Sequence, residues 1–117
     1  MAYQWIITFT TTSTTLPVPP GHSTIASMLG KLFTSPNNIW LAGPQSVDDS
    51  PTEQVSGPTQ VVYQWMISLQ TVSNIGPTIP ALRAELIGTF GSTVDNVWLA
   101  GPQSVDDGPA EESKERG

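Results

Sequence analysis

The run WLAGPQSVDD occupies residues 40 to 49 and recurs unchanged at 98 to 107, and each copy is preceded by YQW, at 3 to 5 and at 63 to 65. Ten identical positions mark an internal repeat, and a repeat constrains a fold more tightly than residue-by-residue propensity does. The chain therefore reads as a tandem duplication of one unit.

Working outward from the decapeptides, each unit supplies the same three elements. Tyr3, Trp5, Ile7 and Phe9 alternate with Gln4, Ile6, Thr8 and Thr10, the period of a strand with one buried face. Tyr63, Trp65, Ile67 and Leu69 repeat it, and Val61 and Val62 extend that strand backwards. Loops rich in Thr, Pro and Gly follow, at 12 to 22 and 72 to 78, where proline removes the ladder donor. Ile25, Met28, Leu29, Leu32 and Phe33 then fall at helical spacing behind Ser23 or Thr24 as the cap, and the stripe predicts a core-facing helix. Leu82, Leu86 and Phe90 hold the matching stripe behind Thr78, with Pro80 in the first turn. Glu85 stands where the first unit has Met28. Short strands from Asn38 to Ala42 and Asn96 to Ala100 close the units, and Gly43-Pro44 and Gly101-Pro102 are expected to stop them.

Each unit is thus a βαβ, too small to bury both its helix and its sheet alone. The expectation is an α+β chain in which two units pair about a pseudo-twofold axis. Residues 1–43 form the first repeat, 44–60 an acidic Pro/Gly linker, 61–101 the second repeat sharing one core with the first, and 102–117 an acidic tail. The order β-α-β-β-α-β resembles the ferredoxin-like, split-βαβ arrangement, and only in element order. That resemblance implies a four-stranded antiparallel sheet with two helices on one face. The YQW strands belong at its centre and the WLA strands at its edges. A connection of about 17 residues between the repeats exceeds a hairpin turn, so a domain-swapped dimer joins the simple homodimer as an expectation.

Composition narrows the function classes. The chain has 117 residues and no cysteine, which removes disulfides, thiolate metal sites and cysteine nucleophiles. Its net charge is −6, unevenly placed. Asp48, Asp49 and Glu53 give the linker −3, five carboxylates against Lys114 and Arg116 give the tail −3, and Lys31 and Arg83 balance Glu85 and Asp95 elsewhere. The folded parts are nearly neutral, which argues against nucleic acid as a partner. MAYQWIITF lacks the regions of a signal peptide, and no stretch approaches the roughly 20 apolar residues of a membrane span. A soluble protein, cytoplasmic by default and without a membrane partner, is the expectation.

Catalytic and ligand motifs are scarce. Gln45, Ser46, Asp48 and Asp49, with Gln103, Ser104, Asp106 and Asp107, form oxygen-rich runs, yet they lack the alternating ligands of a calcium loop. Solvated acidic segments are the preferred reading, with no metal site. His22 is the sole histidine, set in a Pro-Gly loop ahead of a helix, and its counterpart in the second repeat is not histidine; a surface residue assisting the helix cap outweighs a general base. There is no Gly-x-Ser-x-Gly, phosphate-binding loop or dinucleotide fingerprint. No catalytic residue and no cofactor is expected, and enzyme activity is disfavoured.

The four tryptophans stand as two pairs, Trp5 with Trp65 and Trp40 with Trp98. Burial of all four is the plainer reading. The sharper one exposes Trp40 and Trp98 beside the Gly-Pro-Gln segments as recognition residues for a protein partner. Gln45, Gln103, Ile6 and Met66 are the other candidates, because the sheet face carrying Gln4, Ile6, Thr8, Gln64, Met66, Ser68 and Gln70 is mixed in polarity and has no helix over it. A small structural or protein-interaction module, self-associating through that face or by strand exchange, is the favoured function. The alternative is a small-molecule-binding or enzymatic domain with a pocket at the pseudo-twofold interface, and a third class is an inhibitor acting through the acidic tail.

Overall fold

The computed structural model describes residues 2–47 and 60–105. Their elements are β1 (Tyr3–Ser13), α1 (His22–Gly30), β2 (Asn37–Ser46), β3 (Val61–Thr71), α2 (Ile79–Phe90) and β4 (Asp95–Ser104). The fold is α+β: one four-stranded antiparallel sheet, in the order β2-β3-β1-β4, with two helices. The two YQW strands occupy the inner positions and the WLA strands the edges.

Alternation does the positioning. β1 and β3 pair along their full length, with Trp5 opposite Leu69, Ile7 opposite Ile67 and Phe9 opposite Trp65. These six residues are buried and meet Ile25, Met28, Leu29 and Phe33 from the first half and Leu82, Leu86 and Val94 from the second in one cluster. Both helices therefore cover the same face, and Ile39, Leu41, Val97 and Leu99 of the edge strands lean against that cluster. Trp5 and Trp65 point to this common side and solve the same problem in the same way. Each buries an indole whose N–H needs an acceptor, and each finds a threonine on the neighbouring inner strand: Trp5 Nε1 donates to Thr71 Oγ1 at 2.9 Å and Trp65 Nε1 to Thr11 Oγ1 at 2.9 Å. Phe33 packs edge-on against Trp5 at 5.1 Å, and Phe90 against Trp65 at 4.9 Å.

Three local expectations need correction. The strands do not stop at Gly-Pro. β2 continues through Gly43-Pro44 to Ser46 and β4 through Gly101-Pro102 to Ser104, with the register shifting between Ala42 and Gln45 and on β1 between Gln4 and Ile6. Proline is tolerated because these are edge strands, where one side of the backbone has no ladder to serve, and a bulge absorbs the extra residues. Both Gly-Pro peptides are cis.

The second correction concerns α1. It starts at His22 with Gly21 as N-cap and no side-chain cap bond, so neither Ser23 nor Thr24 is the cap. Pro19 and Pro20 precede Gly21, and the helix begins two residues before a Ser23 cap would place it. The third follows from it: His22 is an exposed first-turn helix residue, not a loop residue. In α2 the expected cap is present, Thr78 Oγ1 accepting from the Ala81 N–H at 3.3 Å, with proline in the first turn. Met28 is buried, whereas its counterpart Glu85 lies near the surface 3.9 Å from Lys31, a solvated pair worth little to stability.

Candidate interaction surface on the open sheet face

The face of the sheet opposite the helices is built from the alternate residues of all four strands, and the pairings arrange them in rows. At one end Gln103 of β4 lies beside Gln4, and Gln4 beside Gln70. The next row runs Trp40, Ser68, Ile6, Ala100 from β2 to β4. After it comes Ala42, Met66, Thr8, Trp98, and then Gln45, Gln64, Thr10. Directly opposed residues have Cβ atoms about 5 Å apart and diagonal neighbours about 7–8 Å, so Ile6 and Met66 meet diagonally at the centre. Trp40 and Trp98 stand at opposite ends of the two middle rows.

This order follows from the sequence WLA placed on an edge. Leu41 pairs with Ile67 on the helix side, so Trp40, paired with Ser68, faces the other way. Leu99 pairs with Ile7, so Trp98, paired with Thr8, does likewise. Trp40 is 70% exposed and Trp98 67%, against 3% for Trp5 and 2% for Trp65. The reading in which all four tryptophans are buried is thus overturned for the edge pair: strand alternation, not hydrophobicity, decides their side. Met66 is 42% exposed, Ile6 is half-buried, and Ala42 and Ala100 leave the indoles without bulky neighbours on their own strands.

All six candidates, Trp40, Trp98, Gln45, Gln103, Ile6 and Met66, thereby share one surface. The glutamines lie in strands, Gln45 beside Gln64 and Gln103 beside Gln4, rather than in loops. The amide rows have their own bonds at the margins: Asn38 Nδ2 donates to Gln70 Oε1 at 2.7 Å and Asn96 Nδ2 to Thr10 Oγ1 at 3.1 Å. Asn38 and Asn96 have φ of 51° and 52°, a conformation asparagine adopts more readily than most residues. Sequence reasoning missed these two asparagines; the signal was an Asn two residues before each WLA tryptophan.

The surface is apolar at the centre, amide-rich at two margins and uncharged across its middle rows. The described charges lie outside those middle rows, and Asp95 pairs with Thr10 at the β4 margin. Lys31 pairs with Glu85 across the helices, and Arg83 approaches Asp95 at 3.6 Å. Among the described residues no group of three or more His, Asp or Glu gathers to hold a metal ion. Asp48, Asp49, Asp106 and Asp107 lie outside those residues, and Ser46 and Ser104 are strand residues. No helix among them is long and apolar enough to cross a membrane. Comparison of the chain with protein-family models, with curated proteins and with solved structures finds no match.

Proposed function

We propose that this chain is a small interaction module that associates with a second copy of itself through the open face of its sheet, and that its two halves are a tandem duplication in the ferredoxin-like, split-βαβ arrangement. The duplication is supported by the repeated decapeptide and by the matched indole-to-threonine bonds of Trp5 and Trp65. The arrangement is supported by the order β2-β3-β1-β4 and by the single helix-covered face.

One observation carries the functional reading. Two tryptophans stand exposed on a face whose centre is Ile6 and Met66 and whose middle rows bear no charge. Exposed tryptophan flanking an apolar centre is the composition of an interface hot spot. Because the chain carries −6 overall, this neutral face is where two copies meet with least repulsion. Four strands about 4.8 Å apart and about ten residues long present roughly 650 Å². A face-to-face pair therefore falls at the low end of specific interfaces, which average about 800 Å² per partner, and a dissociation constant on the order of micromolar is expected.

Sedimentation and light scattering over a concentration series test this. A monomer–dimer equilibrium is expected, abolished by Met66→Lys with the circular dichroism unchanged, since Met66 faces away from the core. A monomer at all concentrations overturns the reading, and a dimer that survives both dilution and Met66→Lys assigns association to exchanged units instead.

A second reading, a small-molecule or enzymatic pocket between the halves, has one observation behind it. A groove of about 290 Å³ runs between α1 and α2, lined by Ser23, Thr24, Ser27, Met28, Lys31, Glu85 and Thr89. Its walls are polar and its mouth is wide, so the open sheet face is favoured.

A further inference from the structure

The two halves of the molecule differ in how each helix meets its edge strand. α2 comes close to β4, and α1 makes no comparable approach to β2. The link from α1 to β2, residues 31–36, is longer than that from α2 to β4, residues 91–94. On the α1 side a cleft of about 240 Å³ remains, lined by Pro20, His22 and Ile25 and closed by the β2 segment Ile39, Trp40 and Leu41.

The chemistry of this cleft is selective. Its walls are mostly apolar, and His22 is the only ionisable side chain among them. A cavity of about 150 Å³ lined by aliphatic and aromatic groups accepts benzene, so this cleft has room for one or two fused rings. A neutral imidazole offers one donor and one acceptor nitrogen, which suits a ligand with a single N–H or O–H.

We propose that the cleft between α1 and β2 binds a small planar aromatic molecule of one or two rings, seated on Ile25, Ile39 and Leu41, whose N–H or O–H donates to the His22 imidazole. This site opens on the helix side of the sheet, and Trp40 is the one lining residue it shares with the opposite face. The second half offers no equivalent, because histidine has no counterpart there.

Indole is the probe. Titrated into the ¹⁵N-labelled full chain, it is expected to shift the amide signals of His22, Ile25, Ile39 and Leu41 saturably, with signals of the inner strands unmoved. Indole is expected to bind about three- to ten-fold more tightly than 1-methylindole, one neutral hydrogen bond's worth, and His22→Phe removes that preference while keeping a ring in place. Ile39→Trp, which fills the cleft from the strand side, weakens binding at least ten-fold; Leu41→Phe serves if that variant loses its dispersed spectrum. Absence of saturable shifts up to the solubility limit of indole overturns the proposal, as do shifts confined to the open sheet face or indole binding unaffected in folded Ile39→Trp or Leu41→Phe protein.

Discussion

Gly43 and Gly101 hold φ of 116° and 119°, a region closed to residues with a Cβ. A Cβ on Gly43 would lie 2.7 Å from the Gln64 carbonyl oxygen, and one on Gly101 2.6 Å from that of Gln4. In both cases the obstacle is backbone of an inner strand. The glycine of the repeated decapeptide thus has a structural reason for being the same twice. Gly43→Ala is expected to destabilise the chain by about 2 kcal/mol or more. Gly88 makes the contrast: it lies within α2 with nothing within 4 Å of a built Cβ, and Gly88→Ala is expected to stabilise by about 0.5–1 kcal/mol. Denaturant titration at one fixed protein concentration measures both, since association would otherwise add to apparent stability. Opposite signs are expected; equal small effects would mean that the bulge relaxes around the new methyl group. At the buried indoles, Thr71→Val leaves the Trp5 N–H without its acceptor, and a loss of about 1–3 kcal/mol is expected in the same assay.

Elements were legible in proportion to how far a single period governed them. The strict alternation of YQWIITF and YQWMISL predicts the inner strands and their buried side, and the i, i+3, i+4 stripes predict both helices, although α1 ends at Gly30, so Leu32 and Phe33 reach the core from the turn after it and not from the expected third helical turn. What escaped depended on neighbours in space. Gly-Pro reads as a stop because proline lacks the ladder donor, even at the edge positions expected for β2 and β4, and the bulge between Ala42 and Gln45 that lets pairing resume has no signal in the local sequence. Likewise, Trp40 reads as core from its own hydrophobicity, and its outward side follows only once Leu41 is set inward opposite Ile67. The caps diverged for a local reason: Thr78 accepts from the Ala81 N–H, whereas Gly21 offers no side chain. Thr78→Ala is therefore expected to cost about 1 kcal/mol, while Gly21→Ser at the other N-cap gains a few tenths. Thermal unfolding of the two single variants checks the asymmetry, and equal responses would place the first cap at a residue other than Gly21.

At the scale of the whole molecule, net charge lies outside the described residues, and this would set the salt dependence of the proposed association. Lys31, Arg83, Glu85 and Asp95 cancel within residues 2–47 and 60–105, and the entire −6 belongs to 48–59 and 106–117, at −3 each. Those segments leave the ends of the edge strands β2 and β4, which carry Trp40 and Trp98 higher up. In the proposed dimer two copies of like net charge would therefore associate without gaining an ion pair from these carboxylates. The Debye length falls from about 30 Å in 10 mM salt to about 8 Å in 150 mM, so raising salt removes repulsion and leaves the apolar contact in place. Dimerisation is expected to tighten about three- to ten-fold over that range, the reverse of a charge-complementary interface. Replacing Asp48, Asp49, Asp106 and Asp107 by asparagine removes four carboxylates and brings the net charge from −6 to −2; the salt dependence is expected to flatten accordingly. Sedimentation equilibrium of the natural and neutralised chains at both salt concentrations gives the answer. Association that weakens with salt would move the contact off the open sheet face and onto the charged segments themselves.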